Sequence, residues 1–288
     1  MSFRWSVLGS GSSGNTTLMS CGEEEPFLFL CDAGFSVKET QKRMDKFNIS
    51  IEDLDAILLT HLDTDHFRKG WLRTCRKHNI TIYLHKELFP LWNKLCGLNH
   101  RDILILFEDE KDLTPSLRFS SVRLPHDVHG SVGYVIQYKD WHLGYLTDLG
   151  RVPPNVLSHF EGLDALAIES NYDPDLQRRS PRPMFLKQRI TSGKGHISNQ
   201  ESLDAVQHIA AQSQLQQLVL LHLSSQCNDP DIIERMYRKQ APTLHPIMRC
   251  SKQHYPTDWL TLQTRTTPRT PKPSKTLTSQ APQQLMLF

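Results

Sequence analysis

The amino-acid sequence predicts an α/β fold, a four-layer sandwich of helix, sheet, sheet and helix. Short apolar runs of strand length occur in two successive halves of the chain, and segments with helical spacing lie between them. Several of these runs end at a histidine or a carboxylate. No repeat of roughly 20 to 50 residues is visible, which argues against solenoids and propellers.

The first half of the chain contains the first predicted sheet and its helices. Pro26–Cys31 and Ala56–Leu59 are apolar runs of strand length, and Val37, Met44 and Phe47 recur between them at helical spacing. The predicted elements of this half are strands at 7–8, 26–31, 56–59 and 81–84 and helices at 36–47 and 68–77.

The second half contains more strands. Two apolar runs, 133–138 and 141–146, lie close enough together to predict a β-hairpin. The sequence Ser198-Asn-Gln-Glu201 fits a capping box and predicts a helix over 199–211. The other predicted elements are strands at 117–124, 164–169 and 217–221 and a helix at 229–239.

Composition is that of an ordinary globular protein. The 288 residues are 38% hydrophobic and 22% charged, and the formal charge of +2 does not by itself indicate a nucleic-acid partner. The N-terminus lacks the apolar segment of a signal peptide, and no run of about 18 apolar residues occurs. We therefore expect a cytoplasmic protein without a membrane partner. Its six cysteines lack CxxC spacing, so we expect them to be reduced.

The residues from 263 onward differ in composition from the rest. Thr, Pro, Ser, Lys and Arg dominate there and supply too little apolar surface to fold. We predict a folded domain over 1–262, a disordered basic linker over 263–283 and a separate peptide over 284–288. Basic residues also concentrate within 177–189; both basic segments suit either nucleic-acid contact or a solubilising surface.

The stretch His61-Leu-Asp-Thr-Asp-His66 places two imidazoles and two carboxylates within one turn, directly after a predicted strand. Its aspartates alone would be explained as the cap of a helix that starts near Asp65. Four such groups together indicate a metal site, because imidazole and carboxylate are ligands of divalent cations in two-metal hydrolases.

Three further candidate ligands, His126, Asp148 and His222, stand where predicted strands end. Each alone is more typical of a turn residue. Together with the first motif they form a pattern that resembles the metallo-β-lactamase superfamily. The hallmark of that superfamily, His-X-His-X-Asp-His, is followed by a histidine, a bridging aspartate and a last histidine.

Several short blocks of the sequence resemble those of the WalJ (YycJ) group of exonucleases within that superfamily. The resemblance runs over residues 3 to 260 and includes the blocks Leu8-Gly-Ser-Gly-Ser-Ser-Gly-Asn15, Cys31-Asp-Ala-Gly34, Glu169-Ser-Asn171, Gly195-His-Ile-Ser-Asn199 and Leu221-His-Leu-Ser224. It implies the αβ/βα metallo-β-lactamase fold and a metal-dependent 5′ to 3′ DNA exonuclease that acts in repair, including mismatch repair.

The resemblance also implies which residues hold two divalent cations. The implied ligands are His61, Asp63 and His126 for one ion, Asp65, His66 and His222 for the other, and Asp148 as the bridge. Asp63 departs from the family pattern, which has a histidine there. An anionic oxygen ligand shifts the preference from zinc toward harder ions such as manganese, so the sequence leaves the choice between manganese and zinc open.

The chemistry expected of such a site is phosphodiester hydrolysis. Asp65 is the candidate that orients the nucleophile. His196 is the candidate general acid or phosphate clamp, although it also simply precedes the Ser198 cap. The candidate substrate-binding residues are Ser10, Ser12, Ser13 and Asn15 in a glycine-rich loop and Lys187 and Arg189 in the basic segment. That loop suits either a phosphate nest or a plain tight turn.

The last five residues, Gln284-Leu-Met-Leu-Phe288, are apolar at the end of a polar tail. They resemble the bacterial sliding-clamp binding pentapeptide, which implies Gln284, Leu285, Leu287 and Phe288 as the contacts. A short apolar peptide on a tether would recruit an enzyme to a clamp on DNA. An apolar patch that folds back on the domain is the alternative.

The sequence therefore predicts a metal-dependent DNA exonuclease that acts on single-stranded DNA or at a free 5′ end and is recruited by the sliding clamp. Two alternatives stay open. One is a hydrolase of small cyclic phosphodiesters, lactones or thioesters on the same fold. The other is a catalytically idle adaptor for the clamp or DNA, which the unusual Asp63 motivates.

Overall fold

The computed structural model describes residues 2–263, which form two seven-stranded sheets with helices on their outer faces. The strands are β1 (Phe3–Gly9), β2 (Thr16–Cys21), β3 (Phe27–Cys31), β4 (Ala56–Leu58), β5 (Thr81–His85), β6 (Leu104–Phe107), β7 (Glu110–Thr114), β8 (Leu117–Leu124), β9 (Ser131–Tyr138), β10 (Trp141–Leu146), β11 (Ala165–Glu169), β12 (Gln217–Leu221), β13 (Met248–Cys250) and β14 (Leu260–Thr261). The helices are α1 (Val37–Met44), α2 (Trp71–His78), α3 (Phe89–Cys96), α4 (Pro154–His159), α5 (Pro174–Arg179), α6 (Met184–Thr191), α7 (Asn199–Ala211) and α8 (Pro230–Gln240).

The predicted four-layer α/β sandwich is confirmed. The clamp-like peptide 284–288 and the linker beyond residue 263 lie outside the described residues, so the predicted division into segments stays a prediction.

Parallel strands lie side by side in both sheets. The first sheet has the order β14-β1-β2-β3-β4-β5-β6, in which β3 to β6 run parallel; the second has the order β13-β12-β11-β10-β9-β8-β7, in which β10 to β13 run parallel. The carboxyl ends of parallel neighbours meet at one edge of a sheet, where ligands usually bind. The loops that leave β3, β4, β10 and β12 are therefore the expected place for a site.

The main core lies between the two sheets, and a second core lies beneath the helices of the second sheet. Along β11, Ala165 and Ala167 join the core between the sheets, whereas Leu166 and Ile168 join the core under the helices. Successive side chains of a strand point to opposite faces, so a strand that is buried on both faces reads as a continuous apolar run. This is why 164–169 predicted a buried strand correctly.

Local signals position several elements. In α7, Ser198 Oγ accepts a hydrogen bond from the Glu201 amide while the Glu201 carboxylate accepts one from the Ser198 amide, so the predicted capping box forms. The predicted hairpin joins β9 to β10, with Tyr138 opposite Trp141. None of the helices within 2–263 has the length and apolar character needed to cross a membrane.

Candidate metal centre and active site

The site is built from loops at the carboxyl ends of strands in both sheets. The residues that stand there are Asp32 after β3, His61 after β4, His126 after β8, Asp148 after β10, Glu169 at the end of β11 and His222 after β12. Asp32, Asp148 and His222 have φ angles of 63°, 55° and 53°, in the left-handed region that residues other than glycine rarely adopt. Such strained residues cluster at functional sites.

His61, Asp63 and His126 form the first ligand cluster, with candidate ligand atoms within 4.8 Å of one another. Thr60 Oγ1 lies 2.9 Å from His61 Nδ1, and His126 Nδ1 lies 2.8 Å from the carbonyl oxygen of Gly195. The carbonyl can only accept, so His126 Nδ1 carries the proton and Nε2 keeps its lone pair. His61 Nε2 is buried and has no hydrogen-bond partner among the described residues. A buried polar atom without a partner is costly, which fits an atom that binds a cation.

Asp65, His66 and His222 form the second ligand cluster, again with candidate ligand atoms within 4.8 Å of one another. His66 Nδ1 lies 2.7 Å from Asp32 Oδ2, so this carboxylate fixes the orientation and the tautomer of the ring. Asn171 Nδ2 lies 2.9 Å from His222 Nδ1. Burial disfavours the charged form of Asp65, but the hydrogen bond with His222 and the nearby His66 outweigh it and lower the pKa of Asp65 to about 2.

Asp148 lies between the two clusters and is almost fully buried. One carboxylate oxygen, Oδ2, lies 2.8 Å from His66 Nε2. The other, Oδ1, lies 3.7 Å from both His126 Nε2 and His222 Nε2. A single carboxylate therefore reaches histidines of both clusters, which is the position that a bridging ligand needs.

The residues present fit a pair of divalent cations. Four imidazoles and three carboxylates converge, which is a mixed nitrogen and oxygen donor set that zinc and manganese both accept. Asp32 and Glu169 add two fully buried carboxylates behind these ligands. Buried anionic groups on this scale need compensating positive charge, which two cations would supply.

His196 lies beside this cluster and is fixed by Glu169. His196 Nδ1 is 2.6 Å from Glu169 Oε1 and 3.5 Å from Asp148 Oδ1, while the amide of Leu149 donates to Glu169 Oε2 at 2.7 Å. Burial lowers the pKa of His196, but the Glu169 carboxylate outweighs burial and raises that pKa to about 9. Nδ1 is thus hydrogen-bonded to Glu169, and Nε2 is the ring nitrogen that remains available to a substrate.

The cluster forms one wall of a cavity of about 340 Å³. The basic segment also lines this cavity, through Arg182, Leu186, Arg189 and Ile190. Arg189 forms an ion pair with Asp127, which also lines the cavity. Lys187 does not line the cavity, and its Nζ donates to the carbonyl oxygen of Arg178. Of the two predicted basic contacts, only Arg189 therefore faces the site.

The family model described as the beta-lactamase superfamily domain matches residues 28–223, which include most of the ligand-bearing loops. The chain belongs to the metallo-β-lactamase superfamily. It is 31% identical over 229 residues to the exodeoxyribonuclease WalJ of Streptococcus pneumoniae, an alignment that covers 78% of this chain and 83% of that protein. It is 29% identical over 226 residues to the exodeoxyribonuclease YycJ of Bacillus anthracis, with the same coverage. The metallo-β-lactamase fold protein YhfI of Bacillus subtilis superposes with a TM-score of 0.64 at 18% identity, covering 89% of this chain and 99% of that one.

These comparisons confirm the superfamily, the WalJ/YycJ group and the prediction of a metal-dependent hydrolase. The roles of individual residues stay predictions. The seven predicted ligands of this metallo-β-lactamase domain lie together in two clusters, with Asp148 between them.

The glycine-rich loop packs against two candidate metal ligands. Ser10 Oγ accepts from the amide of His222 and donates to Asn15 Oδ1, both at 2.8 Å, and Asn15 Nδ2 lies 2.9 Å from His66 Nε2. The amides of residues 10, 11, 13, 14 and 15 all donate to acceptors of the protein. This arrangement does not fit a phosphate nest. Ser10 and Asn15 brace two candidate metal ligands instead, the amide of Ser13 is bound to Gln253, and Ser12 is the loop residue that lines the cavity.

Five residues orient the imidazoles and have no role predicted from the sequence. These residues are Asp32, Thr60, Asn171 and the backbone carbonyl of Gly195, together with Glu169 beside His196. Their signal in the sequence is a polar residue next to a buried strand. At Gly195 a side chain is excluded, because a Cβ there would lie 2.4 Å from the carbonyl oxygens of Arg189 and Ile190.

Proposed function

We propose that the protein is a metal-dependent phosphodiesterase that degrades DNA as a 5′ to 3′ exonuclease, with a role in mismatch repair. The observation that carries this proposal is the pair of ligand clusters joined by Asp148 in a cavity that Arg182 and Arg189 also line. Two metals side by side suit in-line displacement at phosphorus, and arginines suit a polyanionic substrate. The exodeoxyribonuclease relatives support DNA as the substrate.

Each group of residues at the site has a separate role in the proposed hydrolysis. The two clusters would hold the cations, which supply Lewis-acid stabilisation of the phosphate charge. Asp65, with its low pKa, is an ionised acceptor that orients the attacking water. As the water oxygen bonds to phosphorus and the ester P–O bond breaks, the water loses a proton to solvent through its hydrogen bond to Asp65. His196 gives its own proton to the departing oxygen and is then reprotonated from solvent. Glu169 holds His196 in place for that transfer.

Asp63 supports manganese over zinc as the working ion. Its side chain is half-exposed, and its carboxylate stands in the first cluster with His61 and His126. A carboxylate is a harder ligand than the imidazole that the family pattern has there, so the site gains affinity for hard cations relative to soft ones. We therefore expect manganese to support the highest rate in reconstituted protein.

Helix α6 supports contact with single-stranded DNA. Phe185 is 72% exposed, and it lies four residues before Arg189, so both side chains share one face of the helix. Arg189 lines the cavity, whereas Phe185 is exposed outside the residues that line it. An exposed aromatic ring beside basic residues suits an unpaired base that stacks while its backbone runs over the arginines.

Replacement of Phe185 by alanine is expected to weaken binding of single-stranded DNA about 5- to 100-fold, the range that one base–aromatic stack accounts for. Fluorescence anisotropy with a labelled oligonucleotide measures the change. Leu98→Ala is the matched control, because Leu98 is 58% exposed and does not line the cavity. Equal affinities of wild type and Phe185→Ala would remove the stacking contact from the proposal.

We further propose that the peptide Gln284–Phe288 binds the replication sliding clamp and brings the enzyme to cytoplasmic DNA. Deletion of 284–288 is expected to leave hydrolysis of free DNA unchanged and to abolish clamp binding measured by calorimetry. A deletion of equal length within the linker, 276–280, is the control and should leave clamp binding intact. Clamp binding that survives removal of 284–288 would refute this part of the proposal.

The proposed function is tested with end-labelled single- and double-stranded DNA. Metal-free protein is reconstituted with manganese, zinc or magnesium, and the products are resolved by length over time. We expect manganese-dependent shortening from the 5′ end. Hydrolysis of small cyclic phosphodiesters, lactones or thioesters without DNA degradation would favour the small-molecule alternative, and metal-free protein that binds DNA or clamp without hydrolysis would favour the adaptor.

A further inference from the structure

We infer that Arg182, held by Ser224 and Gln226, forms a subsite for a second phosphate beside the one that is hydrolysed. This inference rests on the proposed phosphodiesterase function and deepens it, because it specifies a substrate that carries two neighbouring phosphates. No residue of the predicted substrate-binding set takes this position.

The guanidinium of Arg182 is fixed on the cavity wall by three hydrogen bonds to neutral oxygens. Nη2 donates to Ser224 Oγ at 3.1 Å, Nε to Gln226 Oε1 at 3.1 Å and Nη1 to Gln177 Oε1 at 3.3 Å. A guanidinium has five N–H donors, and these bonds use one on each nitrogen. One N–H on each of the two Nη atoms is left, so the guanidinium can still donate two hydrogen bonds to the oxygens of a phosphate.

The charge of Arg182 is not compensated locally. Arg189, on the same wall, is neutralised by its ion pair with Asp127. Within residues 2–263, Arg182 forms no ion pair with a carboxylate. An arginine held in one conformation by neutral groups keeps its full charge and has already lost side-chain freedom, so an anion binds it without a further ordering cost.

The position of the subsite relative to the ligand clusters follows from the loop after β12. Ser224 is two residues beyond His222, which limits the distance between their Cα atoms to about 7 Å. The amide of Ser224 donates to the carbonyl oxygen of Asn171, and Asn171 Nδ2 donates to the carbonyl oxygen of His222, so the loop is rigid here. Arg182 thus lies near the clusters but is attached outside them, where repulsion from the cations is weaker.

This position selects a neighbouring phosphate rather than the reacting one. The reacting phosphate would lie against the two clusters and His196, whereas Arg182 is held by Ser224, Gln226 and Gln177, which belong to neither cluster. A single-phosphate diester fills only the first position. A nucleotide chain fills both, so the subsite distinguishes oligonucleotides from small phosphodiesters.

Three dinucleotides test the inference directly: TpT, with one phosphate, and pTpT and TpTp, with a second phosphate on the 5′ or 3′ side. Calorimetry on full-length protein reconstituted with calcium, a hard oxygen-binding ion, gives a Kd for each. We expect wild type to bind either pTpT or TpTp about tenfold or more tightly than TpT. This is the gain in affinity expected from a charge-assisted pair of hydrogen bonds to the second phosphate. In Arg182→Gln this ratio should fall below about twofold.

Two further variants keep the test decisive. Arg178→Gln removes a charge from the same basic segment, but Arg178 pairs with Asp175 and does not line the cavity, so it should retain the wild-type ratio. Arg182→Lys keeps the charge without the paired donors and should give an intermediate ratio. An equal affinity of wild type for all three dinucleotides, or an unchanged ratio in Arg182→Gln, overturns the inference. The proposed function fails separately, if DNA is not degraded with any of the metals tested.

Discussion

Replacement of Asp148 by asparagine is expected to lower DNA hydrolysis by at least about 10³-fold and to release most of the bound metal. Loss of a residue that only orients a metal ligand already costs about 10- to 100-fold in metal affinity or activity. Loss of the Asp148 carboxylate should cost more than this, because that carboxylate lies near His66, His126 and His222 of both clusters. Asparagine keeps the shape but removes the negative charge, and its single oxygen cannot serve both clusters.

Metal content by mass spectrometry and hydrolysis of end-labelled DNA measure this effect together. Asp229→Asn is the control, because Asp229 caps helix α8 and asparagine caps equally well. The control should keep both the metal and the activity. Asp148→Asn protein that retains two ions and wild-type hydrolysis would show that Asp148 does not bridge the clusters.

The candidate ligands could be found from the sequence because they lie in the loops that follow predicted strands. A strand end fixes where the next side chain lies, and parallel neighbours bring such ends to one edge. Local signals also gave correct bounds for four elements. Apolar runs marked strands β8, β10 and β12, and a capping box marked helix α7. The pairing of loops from two sheets came from the family resemblance and not from those signals.

Several elements were not predicted, and in two of them, strand β2 and helix α6, the local signals point elsewhere. Strand β2 is half polar, and its Thr16, Thr17 and Ser20 are nevertheless buried. Such burial depends on hydrogen-bond partners elsewhere in the chain, such as Tyr145 near Thr17. Helix α6 follows Pro181 and Pro183, which read as a loop in the sequence, although a proline directly before a helix is compatible with its start.

The supporting residues of the site could not be assigned from sequence because their roles depend on distant partners. Asp32 orients His66 from 34 positions away, and Arg182 is held by Ser224 from 42 positions away. The glycine-rich loop shows the same limit. Ser10 and Asn15 look like phosphate ligands in a glycine-rich turn, but the fold places His222 and His66 against them.

Replacement of His196 by glutamine is expected to lower the rate of DNA hydrolysis about 10²- to 10⁴-fold, the range of one general acid, while the metal content stays at the wild-type level. Glutamine can still hydrogen-bond Glu169, but it has no proton to give to the departing oxygen.

A comparison of two substrates with different leaving groups distinguishes proton donation by His196 from a purely structural role. 4-Nitrophenolate departs without a proton, so bis(4-nitrophenyl) phosphate should lose far less rate than DNA. His129→Gln, at an exposed histidine two residues before β9, should leave both rates unchanged. An equal loss on both substrates would mean that His196 clamps the phosphate rather than protonating the leaving group, because a clamp acts on the phosphate whatever group departs.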